Sequence, residues 1–171
     1  QSWGIAPRLQ YAARPDLQFY LDMSVARKSF NGNNDRDLTA FTFNPSLNFQ
    51  PHENGNIAVG LQYGRENSGL DIYSNTVRGA YLGYQHNFRE QGIRASITAS
   101  YTSTEFDGIQ AAYTEAREDV SRKISASLAY TIPEMDGLSL LGSVSYQDND
   151  SNLDINTYGR TLLSLSLTKR F

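Results

Sequence analysis

Along most of this chain apolar and polar side chains alternate one for one. Ile57, Val59, Leu61 and Tyr63 interleave with Ala58, Gly60, Gln62 and Gly64, and Ile93, Ala95, Ile97, Ala99 and Tyr101 interleave with Arg94, Ser96, Thr98, Ser100 and Thr102. Ile124, Ala126, Leu128 and Tyr130 repeat the pattern against Lys123, Ser125, Ser127 and Ala129. The last stretch does the same, with Leu163, Leu165, Leu167 and Phe171 on one side and Ser164, Ser166 and Thr168 falling between them. A period of two marks strands whose two faces meet different surroundings. The pattern predicts about nine strands, over residues 3–12, 17–29, 38–49, 57–65, 76–88, 93–104, 121–132, 138–147 and 160–171, bounded by clusters of Gly, Pro, Asn and Asp.

The connectors alternate between two kinds. "ARPD", "QPHENGN", "REQG" and "PEMDG" are short turn sequences, whereas "FNGNNDRD", "ENSGLDIYSN", "EFDGIQAAYTEARED" and "DNDSNLDINTYG" are long and polar. Short turns at one end and long loops at the other, joined by strands of about ten residues, is the layout of an outer-membrane barrel. Its short side is periplasmic and its long side extracellular. The predicted fold is therefore an all-β, antiparallel, up-and-down transmembrane β-barrel occupying residues 1–171. A soluble sandwich would use the apolar face as its core and set charged residues opposite it. Here the opposite face is mostly Ser, Thr, Gly, Ala and Gln.

An apolar face that meets lipid should carry aromatic rings near both interfaces, where their amphipathic character suits headgroup depth. Tyr11, Phe19, Phe49, Phe88, Tyr130 and Phe171 fall toward the short-turn end, and Trp3, Phe41, Tyr63, Tyr101 and Tyr146 toward the long-loop end. The strand ending in Leu163, Leu165, Leu167 and Phe171 is expected to act as the C-terminal assembly signal. On the polar face Arg8, Asp22, Lys28, Arg94, Lys123 and Arg170 supply sparse charge of both signs, a candidate polar path through the interior. The plainer expectation is that these charges pair or meet water and merely hold the wall.

Composition narrows the class further. Eleven Tyr, eight Phe, one Trp and thirteen Gly favour strands over helices, and the absence of Cys excludes disulfides and thiolate metal ligands. Net charge is −3 with no Lys/Arg run, so a nucleic-acid partner is not expected. Mean hydropathy is −0.50, a value that registers no membrane helix and is blind to alternating strands.

Enzymatic chemistry has little to work with. The two histidines are His52, expected in a short periplasmic turn, and His86, expected on the lipid side near the same end; neither reaches an extracellular carboxylate or serine. The chain is thus expected not to be an enzyme. Asp148, Asp150 and Asp154, with Asp35 and Asp37, invite a calcium reading, but "DNDSNLD" lacks the glycine and final glutamate of a calcium loop. No metal or cofactor is expected, beyond weak divalent contacts that bridge lipopolysaccharide.

Nine strands are awkward, because bacterial barrels use even numbers so that both termini end on the periplasmic side. The expectation is that this chain is the C-terminal part of a larger barrel, completed by its missing earlier strands or by another protein's strand, since open edges are not tolerated in lipid.

The last third also supports a resemblance. Arg117 and Asp119, the segment "GLSLLGSVSYQDNDSN" from Gly137 to Asn152, and Tyr158, Gly159 and Arg160 leading to "LSLTKRF" resemble the barrel end of the surface lipoprotein assembly modulators (Slam). The likeness is good over about 55 residues and loose elsewhere, as in "GLQYGREN" and "NNDRD". Lys169 departs from the pattern by standing at a lipid-facing site, where its stem can snorkel. The resemblance implies an outer-membrane protein, preceded in its family by periplasmic tetratricopeptide repeats, that helps a lipoprotein or secreted client reach the cell surface. Expected partners are outer-membrane lipid and lipopolysaccharide, the barrel-assembly machinery during biogenesis, and that client. Two other readings stay open: a passive porin-like channel, and a barrel substrate engaged with the assembly machinery.

Overall fold

A computed structural model describes residues 1–30, 36–132 and 137–169. Ten strands form one antiparallel sheet: β1 (Ser2–Ile5), β2 (Arg8–Arg14), β3 (Leu17–Lys28), β4 (Leu38–His52), β5 (Gly55–Ser68), β6 (Asn75–Phe88), β7 (Ile93–Phe106), β8 (Glu118–Thr131), β9 (Leu138–Ser151) and β10 (Tyr158–Lys169). Each pairs with the next in up-and-down order, except that β1 and β2 both lie along β3. They are one strand position divided at Ala6 and Pro7. Proline has no N–H to give to the ladder. Its carbonyl still accepts from the Met23 N–H at 3.1 Å, so the register on β3 continues across the break. The sheet thus has the expected nine positions, and among the described residues it does not close on itself.

Most strands run further than their alternation suggests. β4 reaches His52, so this histidine ends a strand instead of lying in a turn. β5, β7 and β9 continue to Ser68, Phe106 and Ser151, and their loops shrink to residues 69–74, 107–117 and 152–157. Polar residues fill these extensions and hide the strand from a hydrophobicity reading. The tight connections lie at the other end. One of them needs Gly92, whose φ is +66° and where a Cβ would stand 2.8 Å from the Thr131 carbonyl oxygen.

Register places the apolar side chains on one face. Leu17 lies opposite Phe49, Phe49 opposite Ile57 and Ile57 opposite Tyr84, and the row continues through Ile97 to Ala126 and Val144. Among the described residues this face stays open: Leu163 is 81% exposed, Leu165 74% and Ile97 48%. Among the described residues Leu153, in a loop, is the one buried large apolar side chain. Among the described residues no second sheet supplies a core, so the sandwich alternative fails.

Candidate functional site

The polar face is a web of short cross-strand contacts. Ser24 and Thr42 hydroxyls lie 2.6 Å apart, Ser96 and Ser127 2.8 Å, and Thr131 and Ser139 3.3 Å, each pair joining directly opposed residues. Gln147 donates to the Ser121 hydroxyl at 2.9 Å and accepts from Arg160 at 2.8 Å. Small side chains leave room above the wall. At Gly60 that room is taken by the ring of Tyr81, the residue opposite, which lies where a Cβ would be 2.3 Å away.

All the described members of the polar-path set stand on this face. Arg8 and Asp22 are brought together: opposite one another on β2 and β3, they form a two-point ion pair whose longer arm is 3.1 Å. The others are spread out. Arg94 donates to the Asn87 side chain at 3.0 Å, Lys123 is opposite Ser100 and Gln147, and Lys28 is opposite Leu38 at the long-loop end. Arg170 lies outside the described residues.

The aromatic set sits together on the apolar face. Tyr11 stacks on Phe19 with centroids 6.5 Å apart, and Phe41 meets Tyr63 edge-on at 6.4 Å. Phe88 and Tyr130 both lie opposite Ile93, Phe49 is opposite Leu17, Tyr101 is opposite Ala80, and Tyr146 is opposite Ile124. Trp3 is opposite Arg27 at the long-loop end. Leu163, Leu165 and Leu167 project from β10 on this face, opposite Val144, Gly142 and Leu140. Phe171 lies outside the described residues.

His86 is on the apolar face near the short turns, 4.4 Å from Phe88 and 5.4 Å from His52 between ring centroids, with Nδ1 3.0 Å from the Tyr84 hydroxyl. The acidic residues do not converge. Asp148 is held by Arg122 at 3.3 Å, Asp37 accepts from the Phe30 N–H at 2.8 Å, Asp150 lies opposite Val120, and Asp154 begins a short 3₁₀ turn. Asp35 lies outside the described residues. Among those described, no three His, Asp or Glu side chains come together to hold a metal.

Two features escape single-strand reading. Above the aromatic residues the apolar face carries ion pairs between neighbouring strands, Arg78–Glu105 at 2.8 Å and Arg122–Asp148 at 3.3 Å, and Arg65 reaches Asp107 in the loop beyond β7. Hydrogen bonds from Arg65 hold the Asp107 carboxyl below the usual aspartate range. The turn between β6 and β7 sets Arg78 opposite Ser103, one step from Glu105, so that pair could have been found once the turn length fixed the register.

The second feature is the rim. Ser74, Asn75, Asp119 and Asn149 are buried there. The Asn149 amide donates to the Asn156 carbonyl at 2.8 Å, Asn152 donates to the Ala116 carbonyl at 2.8 Å, and Arg117 lies over the Phe106 ring while pairing with Asp119 at 2.6 Å. Phe106, Asp119 and Asn149 belong to the polar face. Loops 107–117 and 152–157 therefore fold toward the polar side of the wall.

The family model described as surface lipoprotein assembly modifier matches residues 1–171, the whole chain, so the likeness is not confined to the last third. No curated protein matches the chain.

Proposed function

Since the chain belongs to the surface lipoprotein assembly modifier family, we propose that it forms part of an outer-membrane β-barrel whose interior gives a lipoprotein client a polar route to the cell surface. The family and the fold fit an outer-membrane barrel, with the apolar face toward lipid and the polar face toward the interior. The observation that carries the route is an inner wall made mainly of Ser, Thr, Gly, Asn and Gln, where Ser24 bonds to Thr42, Ser96 to Ser127 and Gln147 to Ser121 across neighbouring strands. Such a wall offers an extended chain water-like surroundings without holding it at any single point. The reading is non-catalytic, with no cofactor. Biogenesis would use the barrel-assembly machinery, which would take the β10 end as its signal, and the outward rings would meet lipid and lipopolysaccharide at the two interfaces.

The test is surface display of a lipoprotein on intact cells expressing the full-length protein. Ser125→Trp with Ser127→Trp fills the interior without touching the lipid face. Display is expected to fall while the heat-modifiable barrel persists in the membrane. Unchanged display would remove the polar route, and client-independent ion conductance that survives in its place would favour the passive channel. Deletion of Phe171 is expected to lower membrane assembly more than removal of any one loop, read as folded protein per cell.

A further inference from the structure

The cations of the polar face fall into two kinds. Arg8 is neutralised by Asp22, its two-point partner on the next strand. Lys123 and Arg160 have no such partner. They stand at one level of the wall, where Tyr81 is opposite Ser100, Ser100 opposite Lys123, Lys123 opposite Gln147 and Gln147 opposite Arg160. Lys123 is exposed, and among the described residues no side chain bonds to its ammonium.

Arg160 is held by neutral groups alone. Its guanidinium donates to the Gln147 side-chain oxygen at 2.8 and 3.3 Å and lies over the Tyr158 ring, 5.6 Å from the centroid. Gln147 is fixed in turn, because its amide donates to the Ser121 hydroxyl at 2.9 Å. These bonds aim Arg160 and leave its charge uncancelled, since an amide oxygen carries no net charge.

Of the carboxylates that the described strands set on this face, Asp22 is bound by Arg8, Asp119 by Arg117 at 2.6 Å, and Glu66 accepts from the Asn75 amide at 3.2 Å. None of the three is left over for Lys123 or Arg160. Toward the short turns the wall of β7 to β9 is uncharged at the next two levels, with Thr98, Ser125 and Ser145 in one row and Ser96, Ser127 and Ser143 in the other. Two like charges beside small neutral residues concentrate a positive field at one height.

We infer that Lys123 and Arg160 form a carboxylate-binding point on the inner wall, and that its ligand is an acidic, extended segment of the client. The inference rests on the proposed route and names the chemistry of what passes along it. An ammonium brings three donors and a guanidinium five, of which Gln147 takes only some, and an ionised carboxylate is purely an acceptor. The two cations stand on β8 and β10 with β9 between them. Carboxylates linked along one chain engage both at once, an advantage that a lone small anion lacks. Exposed pairs of this kind are weak and screened by salt, so a bound segment is released readily.

The test follows the fluorescence anisotropy of a labelled glutamate decapeptide added to the full-length protein, folded in uncharged detergent micelles. Binding is expected to saturate, to weaken as salt rises, and to be absent for a glutamine decapeptide. Lys123→Gln with Arg160→Gln is expected to weaken it at least about tenfold. Lys123→Arg with Arg160→Lys keeps both charges and should stay within about threefold, and Arg78→Gln, which removes a charge from the apolar face, within about twofold. Undiminished binding by the glutamine pair, loss of binding in the pair that keeps its charges, binding of the glutamine peptide, or displacement by acetate at the same carboxylate concentration would overturn the site. Client display plays no part in this readout. Peptide binding together with unchanged display in Ser125→Trp/Ser127→Trp would sink the route alone, and display lost there with no peptide binding would sink the carboxylate site alone.

Discussion

At mid-height of the wall Leu82 and Ile97 stand open on the apolar face, 56% and 48% exposed, whereas at the long-loop rim Asn75, Asp119 and Asn149 are buried. A water-soluble domain would show the reverse. On the proposed reading, hydrocarbon takes the place of a core in the middle and asks of the sequence only an outward apolar residue at every second position. At the rim, the strands have left that medium, and order depends on particular donors finding particular carbonyls. One region is specified by a pattern, the other by individual contacts.

The sharpest way to break this contrast is a charge at mid-height. Ile97→Arg is expected to cost about 2–4 kcal/mol in folding into vesicles, read by urea titration, and Thr98→Arg, one residue on and facing inward, about 1 kcal/mol or less. Equal costs would mean that the two faces do not meet different media. Next in size is Leu153→Ala, which removes the buried side chain that lines one hollow together with residues 112–115 and is expected to cost about 2 kcal/mol locally. It should quicken amide exchange over residues 107–117 and 152–157 and leave β5 to β9 protected. Asn149→Ala, which strips a buried hydrogen bond from the second of those loops, is expected to cost about 1 kcal/mol in the same exchange experiment.

A pH series sharpens the comparison with a smaller effect. Because Arg65 lowers the folded-state pKa of Asp107, the stability this pair contributes is present above the ordinary aspartate range and is lost as pH falls through the lowered value. Protection at the start of loop 107–117, corrected for the intrinsic exchange rate, should be flat from neutral pH down to about pH 5 and fall only in stronger acid, and Asp107→Asn should abolish the acid step. Smallest of all, Glu105→Gln breaks an exposed pair with Arg78 and is expected to shift stability by no more than about 0.5 kcal/mol.

The same contrast explains what the sequence made legible. The strands at mid-height, their facing and the sorting of short and long connections follow from a period of two and from turn residues, because the medium on each side imposes them. The division at Pro7 was not legible, since "WGIAPRLQY" keeps its alternation across the proline and only the interrupted ladder shows it. The strand ends beyond Arg65, Thr104 and Gln147 were missed because they carry Glu66, Glu105 and Asp148; Glu105 and Asp148 are accommodated by Arg78 and Arg122 on neighbouring strands. Of the polar-path residues, the facing was legible from parity, while the Arg8–Asp22 contact needed the register of β2 on β3.

Gly60 carries a consequence for the width of the bore. The Tyr81 ring fills the space a methyl group would need, with a ring carbon 2.3 Å from where that Cβ would stand, so Gly60→Ala would push the ring out of its place on the polar face. If the wall encloses an interior as proposed, a substitution far from every loop would thus narrow it at this height.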